Sequence, residues 1–486
     1  MNLLERIEHW AAVAPNAIAH ISGDRKLTYR ELHLRSNGFA TELVKRYGEG
    51  GDPIALLGHR EPEMIIGFIG AAKAGRPYIP IDSVLPQERI NHILTIAEPK
   101  SLLNPTEIAS LSEPNDLAPS VSLQADQAFY IIFTSGSTGS PKGIVITRGS
   151  LEFFLGWMLL EHRFREPGEV FLNQAPFSFD LSVMDLYCSL ATGGTLFSVG
   201  RDLIGNPKLL FRALAHSNVT TWISTPSFVE LCLVERKFNH QLLSHVNRFL
   251  FCGETLLPGT ATSLLDRFPN AQIWNLYGPT ETTVATTSVM IDRQILQKYP
   301  VVPVGRPMPG TDIFLIDEGH DARVPPGTRG EIVIKGPNVS SGYLGQPDLT
   351  GARFLDVNGQ RAYRTGDLGR FQDGLLFFEG RVDSQIKLNG YRIELGDLEA
   401  NLRALPMVRD AAVLPVFKNG KAQWLAGFVV PREEFKSDGE SLPTALREQL
   451  YHRLPAYMLP RRFVVLDHFP ITANGKIDRL KLLESL

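Results

Sequence analysis

The sequence predicts an α/β protein with a large N-terminal domain and a smaller α+β C-terminal domain. Three observations support this fold class. Patterns typical of buried strands alternate with helix patterns over about the first 300 residues, as in parallel sheets covered on both faces. Further along, the strand patterns become short and closely spaced, with turns rich in Gly and Pro, which indicates a β-rich subdomain. The length of 486 residues also exceeds that of one average domain.

The composition is typical of a soluble globular protein, with 43% hydrophobic and 21% charged residues. A net charge of −3 gives no electrostatic reason to expect nucleic acid or an anionic membrane as a partner. The cysteines Cys188, Cys232 and Cys252 have the spacing of neither a zinc site nor a disulfide framework, and they suit a reducing cytoplasm. No secretory leader or membrane span is predicted, and a monomer is compatible with the sequence.

In chain order, the first segments alternate between helix and strand patterns. An amphipathic helix is expected at 3–14, and a strand pair at 18–21 and 27–32 leads into a helix that ends near Tyr47. The next expected elements are a strand at 53–57, a helix at 61–74, a strand at 78–81 and a helix at 87–96. Residues 104–125 are polar and are predicted to form an irregular surface connection.

The alternation resumes after a glycine-rich stretch. The predicted helices are 149–160, one opened by 177–182 and running to about Leu190, 207–216 and 226–233. The predicted strands are 169–174, 195–198, 221–223, 248–252, 272–276, 312–316, 330–335, 362–364 and 376–379. The character of the sequence changes near residues 381–383, so we place the two domains at 1–382 and 383–486. The second contains the segment 386–393, helices at 395–402 and 443–453, and strands at 408–417, 423–430 and 462–466.

The most informative stretch is Thr134-Ser-Gly-Ser-Thr-Gly-Ser-Pro-Lys-Gly143, which follows a buried strand pattern. Its glycines allow backbone N–H groups to approach an anion closely, and the Ser and Thr hydroxyls add donors. The pattern therefore favours a phosphate site over a flexible linker. It does not match the kinase-type P-loop, because Gly143 follows the lysine where a Ser or Thr would bind magnesium. It does not match the G-x-G-x-x-G dinucleotide fingerprint either.

Several side chains at predicted strand ends suit a nucleotide, and each has a structural alternative. The carboxylate of Glu281 suits Mg²⁺ and Thr280 suits a phosphate oxygen, while Tyr277 and Asn275 suit stacking on a base and pairing with its edge. The alternative is a turn whose glutamate is solvated. Asp367 suits two ribose hydroxyls, but the residue taken alone favours an ordinary turn.

Two charged residues point to the chemistry of catalysis. Asp180 lies between apolar neighbours and needs a cation, for which a substrate ammonium is the natural candidate, although a helix N-cap explains it equally well. Lys476 follows an Asn-Gly turn, where it either delivers a point charge to a site or is simply a solvated lysine. The 12 histidines have no metal-ligand spacing, so neither a catalytic triad nor a structural metal is predicted.

Together these stretches resemble the adenylate-forming superfamily, which includes acyl-CoA synthetases, luciferase and peptide-synthetase adenylation domains. The resemblance covers essentially the whole chain, in order, through segments 27–32, 73–82, 134–143, 275–281, 363–369, 380–390, 454–460 and 474–479. The ordered set is far more specific than any one motif. It implies a large N-terminal α/β sandwich with a β-rich subdomain, followed by a small mobile C-terminal lid that carries the catalytic lysine.

The resemblance implies ATP and Mg²⁺ as cofactors. The residues implied to bind ATP are Thr134, Ser135, Gly136, Ser137, Thr138, Gly139, Lys142, Gly143, Asn275, Tyr277, Asp367 and Arg381. Catalytic roles are implied for Lys476, Glu281 and Thr280, with Glu281 holding the metal. Asp383 matches the hinge about which the lid rotates between two half-reactions.

Within the superfamily, an aspartate at the position of Asp180 is typical of members that activate amino acids. The segments 177–187 and 249–254 look especially like the D-alanine-activating members, in which the residue matching Cys252 helps to select a small D-amino acid. The implied pocket consists of Asp180, Leu181, Met184, Cys252, Leu276, Val284 and Ala285. The implied reaction forms D-alanyl-AMP and passes D-alanine to the phosphopantetheine thiol of a separate carrier protein, as in teichoic-acid D-alanylation.

Three other functions remain open on the sequence alone. The first is activation of another small amino acid, such as L-Ala, Gly, Ser or Pro, for a peptide natural product. The second is a non-catalytic carrier-binding protein, which the presence of Lys476 and Glu281 disfavours. The third is a CoA ligase for a simple carboxylic acid, which Asp180 disfavours.

Overall fold

Strands and helices follow one another along the chain in the order that the sequence patterns require. The structure is a computed structural model of the 486-residue chain. It describes residues 1–121, 123–136, 139–317, 322–325, 327–383, 385–418, 421–438, 441–471 and 477–486.

The helices have well-defined bounds. They are α1 (Leu3–Val13), α2 (Tyr29–Tyr47), α3 (Pro62–Lys73), α4 (Gln87–Ala97), α5 (Pro105–Ser110), α6 (Arg148–His162), α7 (Leu181–Ala191), α8 (Arg201–Ile204), α9 (Pro207–Ala215), α10 (Pro226–Leu233), α11 (Pro258–Arg267), α12 (Arg293–Lys298), α13 (Pro347–Arg353), α14 (Leu395–Arg403), α15 (Leu442–Tyr451) and α16 (Arg479–Glu484).

The strands range from two to thirteen residues. They are β1 (Ile18–Ser22), β2 (Arg25–Thr28), β3 (Ile54–Gly58), β4 (Tyr78–Asp82), β5 (Ser101–Leu103), β6 (Ala128–Thr134), β7 (Lys142–Thr147), β8 (Val170–Asn173), β9 (Thr195–Ser198), β10 (Thr221–Ser224), β11 (Arg248–Phe251), β12 (Gln272–Tyr277), β13 (Thr287–Ile291), β14 (Arg306–Pro307), β15 (Asp312–Ile316), β16 (Gly330–Lys335), β17 (Gly342–Tyr343), β18 (Phe354–Val357), β19 (Gln360–Gln372), β20 (Leu375–Arg381), β21 (Gln385–Leu388), β22 (Tyr391–Glu394), β23 (Val408–Lys418), β24 (Lys421–Pro431) and β25 (Arg462–Val465).

The chain forms two compact units. The first unit comprises residues 1–83, 97–132 and 143–382, and the second comprises 84–96, 133–142 and 383–486. The predicted domains, 1–382 and 383–486, differ from these units in two places. Segments 84–96 and 133–142 fall within the first predicted domain but belong to the second unit.

The first unit is built on three sheets. A nine-stranded sheet has the order β14-β13-β12-β11-β10-β8-β9-β1-β2, and a six-stranded sheet has the order β17-β7-β6-β4-β3-β5. Both have parallel centres, since β8, β10, β11 and β12 run parallel in one and β3, β4, β5 and β6 in the other. The third sheet, β15-β16-β19-β18 with β20 paired to β19, is antiparallel. The mixed α/β fold with a β-rich region after residue 300 is therefore confirmed.

The second unit has its own hydrophobic core. Its C-terminal part contains the hairpin β21–β22 and the three-stranded sheet β23-β24-β25. Helix α14 buries Leu395, Leu398 and Leu402, and helix α15 buries Leu442, Leu446 and Leu450 in the same core. This spacing of three and four residues on each helix is the pattern that predicted them.

Two sequence predictions are wrong in detail. The polar region 104–125 contains helix α5, which begins because the side chain of Asn104 accepts from the N–H groups of Thr106 and Glu107. The segment 27–32 does not continue as a strand, since Thr28 and Glu31 form a reciprocal capping box that starts α2 at Tyr29. In both cases the hydrogen bonds of the helix N-cap determine the local structure, although the segment as a whole has a polar or strand-like sequence.

Within the described part of the chain, no helix is both long and apolar enough to cross a membrane.

Candidate active site

Asp180 lies directly before helix α7, where a side-chain cap would be expected. Its backbone is already helical, with φ −62° and ψ −25°, and its side chain makes no capping hydrogen bond. The N-cap interpretation is therefore wrong for the side chain. The residue is only half-buried. Burial, then the neighbouring Tyr78 and the charge of Asp180, raise the pKa of Tyr130. The half-buried carboxylate therefore does not cap its own helix.

The apolar residues of the predicted pocket belong to one hydrophobic core of the first unit. They are Leu181, Met184, Cys252, Leu276, Val284 and Ala285. Leu181 and Met184 lie one turn apart on α7, and Leu276 lies near the end of β12. The Cys252 thiol lies 3.7 Å from the carbonyl oxygen of Val284 and donates to it. The structure therefore brings these side chains into one buried region, although they are separated in sequence.

The loop that carries Val284 and Ala285 has an unusual backbone. Thr283 and Val284 have φ values of +57° and +68°, in a region that β-branched residues rarely adopt. The loop approaches Gly278 so closely that a Cβ there would lie 2.7 Å from the Ala285 Cα. The Thr283 hydroxyl donates to the Asn338 carbonyl at 2.7 Å and so fixes the strained turn. Such local strain is typical of functional loops.

Asp367 is held at two points within the first unit. It lies inside β19, opposite Arg381 on the antiparallel strand β20, and the two side chains form a buried ion pair. The hydroxyl of Tyr277 donates to the other carboxylate oxygen at 2.6 Å. Burial and the Asp367 charge raise the pKa of Tyr277, so its proton stays in place. The alternative of an ordinary turn aspartate is therefore wrong.

The residues around Glu281 are also buried. Glu281 and Thr280 lie in a short 3₁₀ turn after β12, and Glu281 has no exposed surface. The hydroxyl of Tyr343 donates to its carboxylate at 2.9 Å. The alternative of a solvated glutamate is therefore wrong. Asn275 donates its amide to the Pro303 carbonyl at 2.8 Å, and its buried Oδ1 has no hydrogen-bond partner within the described residues.

The glycine-rich segment 133–142, here the glycine loop, belongs to the second unit. Gly139 has φ +86°, and a Cβ on Gly136 would lie 2.0 Å from the Ser140 carbonyl oxygen, so glycine is required at both positions. The Thr134 hydroxyl is buried and lacks a hydrogen-bond partner among the residues that the structure describes. Gly143 follows in β7, after the loop.

Three predicted site residues, Ser137, Thr138 and Lys476, lie outside the described residues. The proposed hinge residue Asp383 is exposed and accepts from the backbone N–H of Gln385 at 3.2 Å.

The side chains at this site suit Mg²⁺ shared with a bound substrate better than a metal ion coordinated by the protein alone. Among the described residues, no three His, Cys, Asp or Glu side chains gather as metal ligands. A single buried carboxylate, that of Glu281, fits Mg²⁺, which keeps several waters and is usually shared with substrate phosphates.

A buried polar chain beneath α7 was not predicted from the sequence. His20 Nε2 lies 2.9 Å from the Ser198 hydroxyl, which donates to Asn173 Oδ1 at 2.8 Å. The Asn173 amide in turn donates to Asp185 Oδ1 at 3.0 Å. The only signal in the sequence is the polar residue Asp185 within the apolar face of α7, five positions after Asp180.

The sequence matches two family descriptions. Residues 7–344 match the AMP-binding enzyme family, and residues 397–476 match the AMP-binding enzyme C-terminal domain. A curated relative, D-alanine--D-alanyl carrier protein ligase of Bacillus cereus (strain B4264), is 44% identical over 504 residues, which cover 100% of both chains.

Solved structures show the same fold. An adenylation domain of Vibrio cholerae, solved in complex with glycyl-adenosine-5'-phosphate, has a TM-score of 0.85 at 24% identity and covers 100% of this chain and 97% of its own. The holo form of an NRPS protein containing adenylation and PCP domains, bound to a vinylsulfonamide inhibitor, has a TM-score of 0.83 at 28% identity. That match covers 100% of this chain and 84% of the other.

Proposed function

The chain belongs to the AMP-binding enzyme family, and we propose that it activates D-alanine with ATP and passes it to the phosphopantetheine thiol of a separate carrier protein. The observation that carries this proposal is Asp180, a half-buried carboxylate beside a closed apolar core that does not cap its own helix. The identity of 44% to a D-alanine--D-alanyl carrier protein ligase over both full chains supports the substrate.

The amino-acid side matches D-alanine in charge and size. The Asp180 carboxylate binds the substrate ammonium, whose positive charge it complements. Met184, Cys252 and Val284 are each at most 3% exposed, so the predicted pocket residues are closely packed, which suits a small side chain. A large or charged side chain would have to displace this packed core, which costs about 1–3 kcal/mol for each misplaced group.

The nucleotide is bound by groups of opposite character. The Asp367 carboxylate, fixed by Tyr277 and Arg381, accepts from the ribose hydroxyls. The glycine loop and Lys142 donate to the phosphates. Glu281 would hold Mg²⁺, which would neutralise phosphate charge. Asn275 Oδ1, buried and without a partner in the described chain, is suited to accept from the base.

In the first half-reaction, a carboxylate oxygen of D-alanine attacks the α-phosphorus of ATP. A new P–O bond forms to the amino acid while the bond to the β-phosphate breaks, which gives D-alanyl-AMP and pyrophosphate. Lys476 stabilises the charge between the attacking carboxylate and the α-phosphate. The protein contributes positioning and charge stabilisation, and no covalent intermediate with the chain is needed.

In the second half-reaction, the carrier thiol attacks the carbonyl of D-alanyl-AMP. The C–S bond forms, the bond from the carbonyl carbon to the phosphate oxygen breaks, and AMP leaves. Residues 388–390 approach the thiol after the C-terminal domain, residues 383–486, rotates about Asp383. The reaction takes place in the cytoplasm, where ATP is available, and begins cell-envelope D-alanylation.

The direct test is pyrophosphate release from ATP by the purified protein with glycine and both enantiomers of alanine, serine and proline. We expect clear preference for D-alanine. Preference for an L-amino acid would instead assign the protein to peptide natural-product assembly. No release with any amino acid would refute the role of Asp180 and the amino-acid branch.

A further inference from the structure

The phosphate-binding groups of the glycine loop have partners inside the second unit. The Ser135 hydroxyl donates to the Arg392 carbonyl at 3.0 Å and accepts from the Glu394 N–H at 3.2 Å. The Lys142 ammonium lies 3.3 Å from a carboxylate oxygen of Glu394. Two donors assigned above to phosphate are thus bound to the junction of β22 and α14.

This contact is buried and specific. Lys142 is 8% exposed and Glu394 is 6% exposed, so the ion pair is largely shielded from solvent. The Gln385 side chain donates to the same Glu394 oxygen at 2.5 Å and fixes its position. The loop can pack here because Gly139 lacks a side chain, since a Cβ would lie 3.0 Å from the Cβ of Ala400 on α14.

We propose that Glu394 acts as an internal substitute for phosphate, binding Lys142 whenever ATP and pyrophosphate are absent from the glycine loop. The inference rests on the proposed role of Lys142 in phosphate binding. A lysine that is this buried needs a counter-charge, and one ammonium at 3.3 Å from a carboxylate cannot keep that contact and hold phosphate equally well.

The exchange opposes the rebinding of pyrophosphate after the first half-reaction. Pyrophosphate must leave before Glu394 can bind Lys142, and the bound Glu394 then opposes the return of pyrophosphate. Because ligands that share a binding group compete, each weakens the apparent affinity of the other. Glu394 is in this sense a positioning residue, which acts on the phosphates through Lys142.

The test is equilibrium binding of inorganic pyrophosphate to the full chain by titration calorimetry. Glu394→Gln keeps the shape of the side chain but removes the competing charge, so pyrophosphate should bind about three- to tenfold more tightly than to the wild type. Glu394→Asp keeps the charge but withdraws it from Lys142, and it should give a smaller gain. Thermal unfolding of each variant checks that the fold is intact.

Glu399→Gln is the matched control. It removes the same charge five residues further on, within α14, where Glu399 contacts Arg479 at 2.9 Å and Arg403 at 3.5 Å. Among the described residues, Glu399 forms no hydrogen bond or ion pair with the glycine loop. Its affinity for pyrophosphate should equal that of the wild type. In a Lys142→Gln background, the effect of Glu394→Gln should disappear, as expected for a direct pair.

The outcomes separate this inference from the proposed function. If wild type binds pyrophosphate and Glu394→Gln binds it equally or more weakly, the inference is overturned while the function stands. If Glu399→Gln tightens binding as much as Glu394→Gln, the effect is one of net charge and the inference is also overturned. If wild type binds no pyrophosphate, the phosphate role of the glycine loop fails, and both proposals fail with it.

Discussion

The polar groups beneath α7 in the first unit and those at the glycine loop in the second unit are both buried, but they are stabilised in different ways. Burial disfavours the charged forms at both ends of the chain from His20 to Asp185, because it lowers the pKa of His20 to about 3 and raises the pKa of Asp185 well above its usual value. Lys142 and Glu394, by contrast, form an ion pair.

This difference corresponds to a difference in function. A hydrogen-bonded chain in which burial favours the uncharged groups needs no counter-ion, so it is suited to hold α7 and the predicted pocket residues in place. An ion pair can exchange one of its partners for another ion of the same charge. Under the proposed function, the residues that bind the amino acid therefore stay fixed, whereas those that bind the phosphates exchange their partners.

The largest expected effect separates the two half-reactions. Lys476→Ala should lower the rate of D-alanyl-AMP formation by about 100- to 1,000-fold, the usual loss when one donor to a developing charge is removed. Thioester formation from supplied D-alanyl-AMP should survive. Pyrophosphate release measures the first step, and transfer of radiolabelled D-alanine to the carrier measures the second.

Lys481→Ala provides the control for this experiment. Lys481 is exposed on α16, with its ammonium 3.8 Å from Asp478, and its removal should change neither half-reaction. Equal loss of both half-reactions in Lys476→Ala would contradict the assignment of Lys476 to adenylate formation alone.

The next effect tests the fixed side at α7. Asp180→Asn keeps the size of the side chain but removes its charge, so the KM for D-alanine should rise by about 30-fold or more, as for loss of one partner of a charge pair. Asp185→Asn makes the same change five residues further on, within α7. Since burial raises the pKa of Asp185 and so favours its neutral form, the KM of this variant for D-alanine should stay close to that of the wild type. Steady-state kinetics with ATP in excess gives both values, and similar KM values for the two variants would contradict the distinction.

The sequence predicted those parts of the site that depend on local patterns. The glycine loop follows a strand, Asp180 stands before a helix, and Glu281 follows a strand end, and each of these placements depends on neighbours a few residues away. The apolar pocket residues were implied by resemblance, and the structure places them in one core. The assignments of individual roles to these residues stay predictions.

What the sequence did not predict depends on contacts between distant residues. Glu394 lies 252 positions from Lys142, and His20 lies 178 positions from Ser198. The strand position of Asp367 could not be read from its Gly-Asp sequence, because the pairing of β19 with β20 decides it. No local pattern shows which charges a fold will bring together, so such pairs become visible only in three dimensions.

The smallest effect concerns the neutral chain beneath α7 and appears only in acid. His20 is fully buried, and burial first, then the charges of Arg60 and Arg25, lower its pKa to about 3. In the unfolded chain this histidine has a pKa of about 6.5, so below that pH the unfolded state binds a proton that the folded state does not. The histidine therefore costs stability progressively as the pH falls from about 6.5 towards 3, and it costs none above that window.

His20→Gln should remove this pH dependence. The variant should be less stable than the wild type at pH 7.5, because it disturbs the hydrogen bond to Ser198. As the pH falls from about 6.5 to 4, the difference in unfolding free energy should shrink by up to about 1.4 kcal/mol per pH unit. The difference isolates His20 from Asp185, whose raised pKa acts in the opposite sense and is present in both proteins.

Urea titrations at several pH values provide the measurement, with a substitution of the exposed His92, His92→Gln, as the control. Parallel stability curves for wild type and His20→Gln would show that His20 charges in the folded protein, so that the chain beneath α7 would not be the neutral support that distinguishes it from the glycine loop.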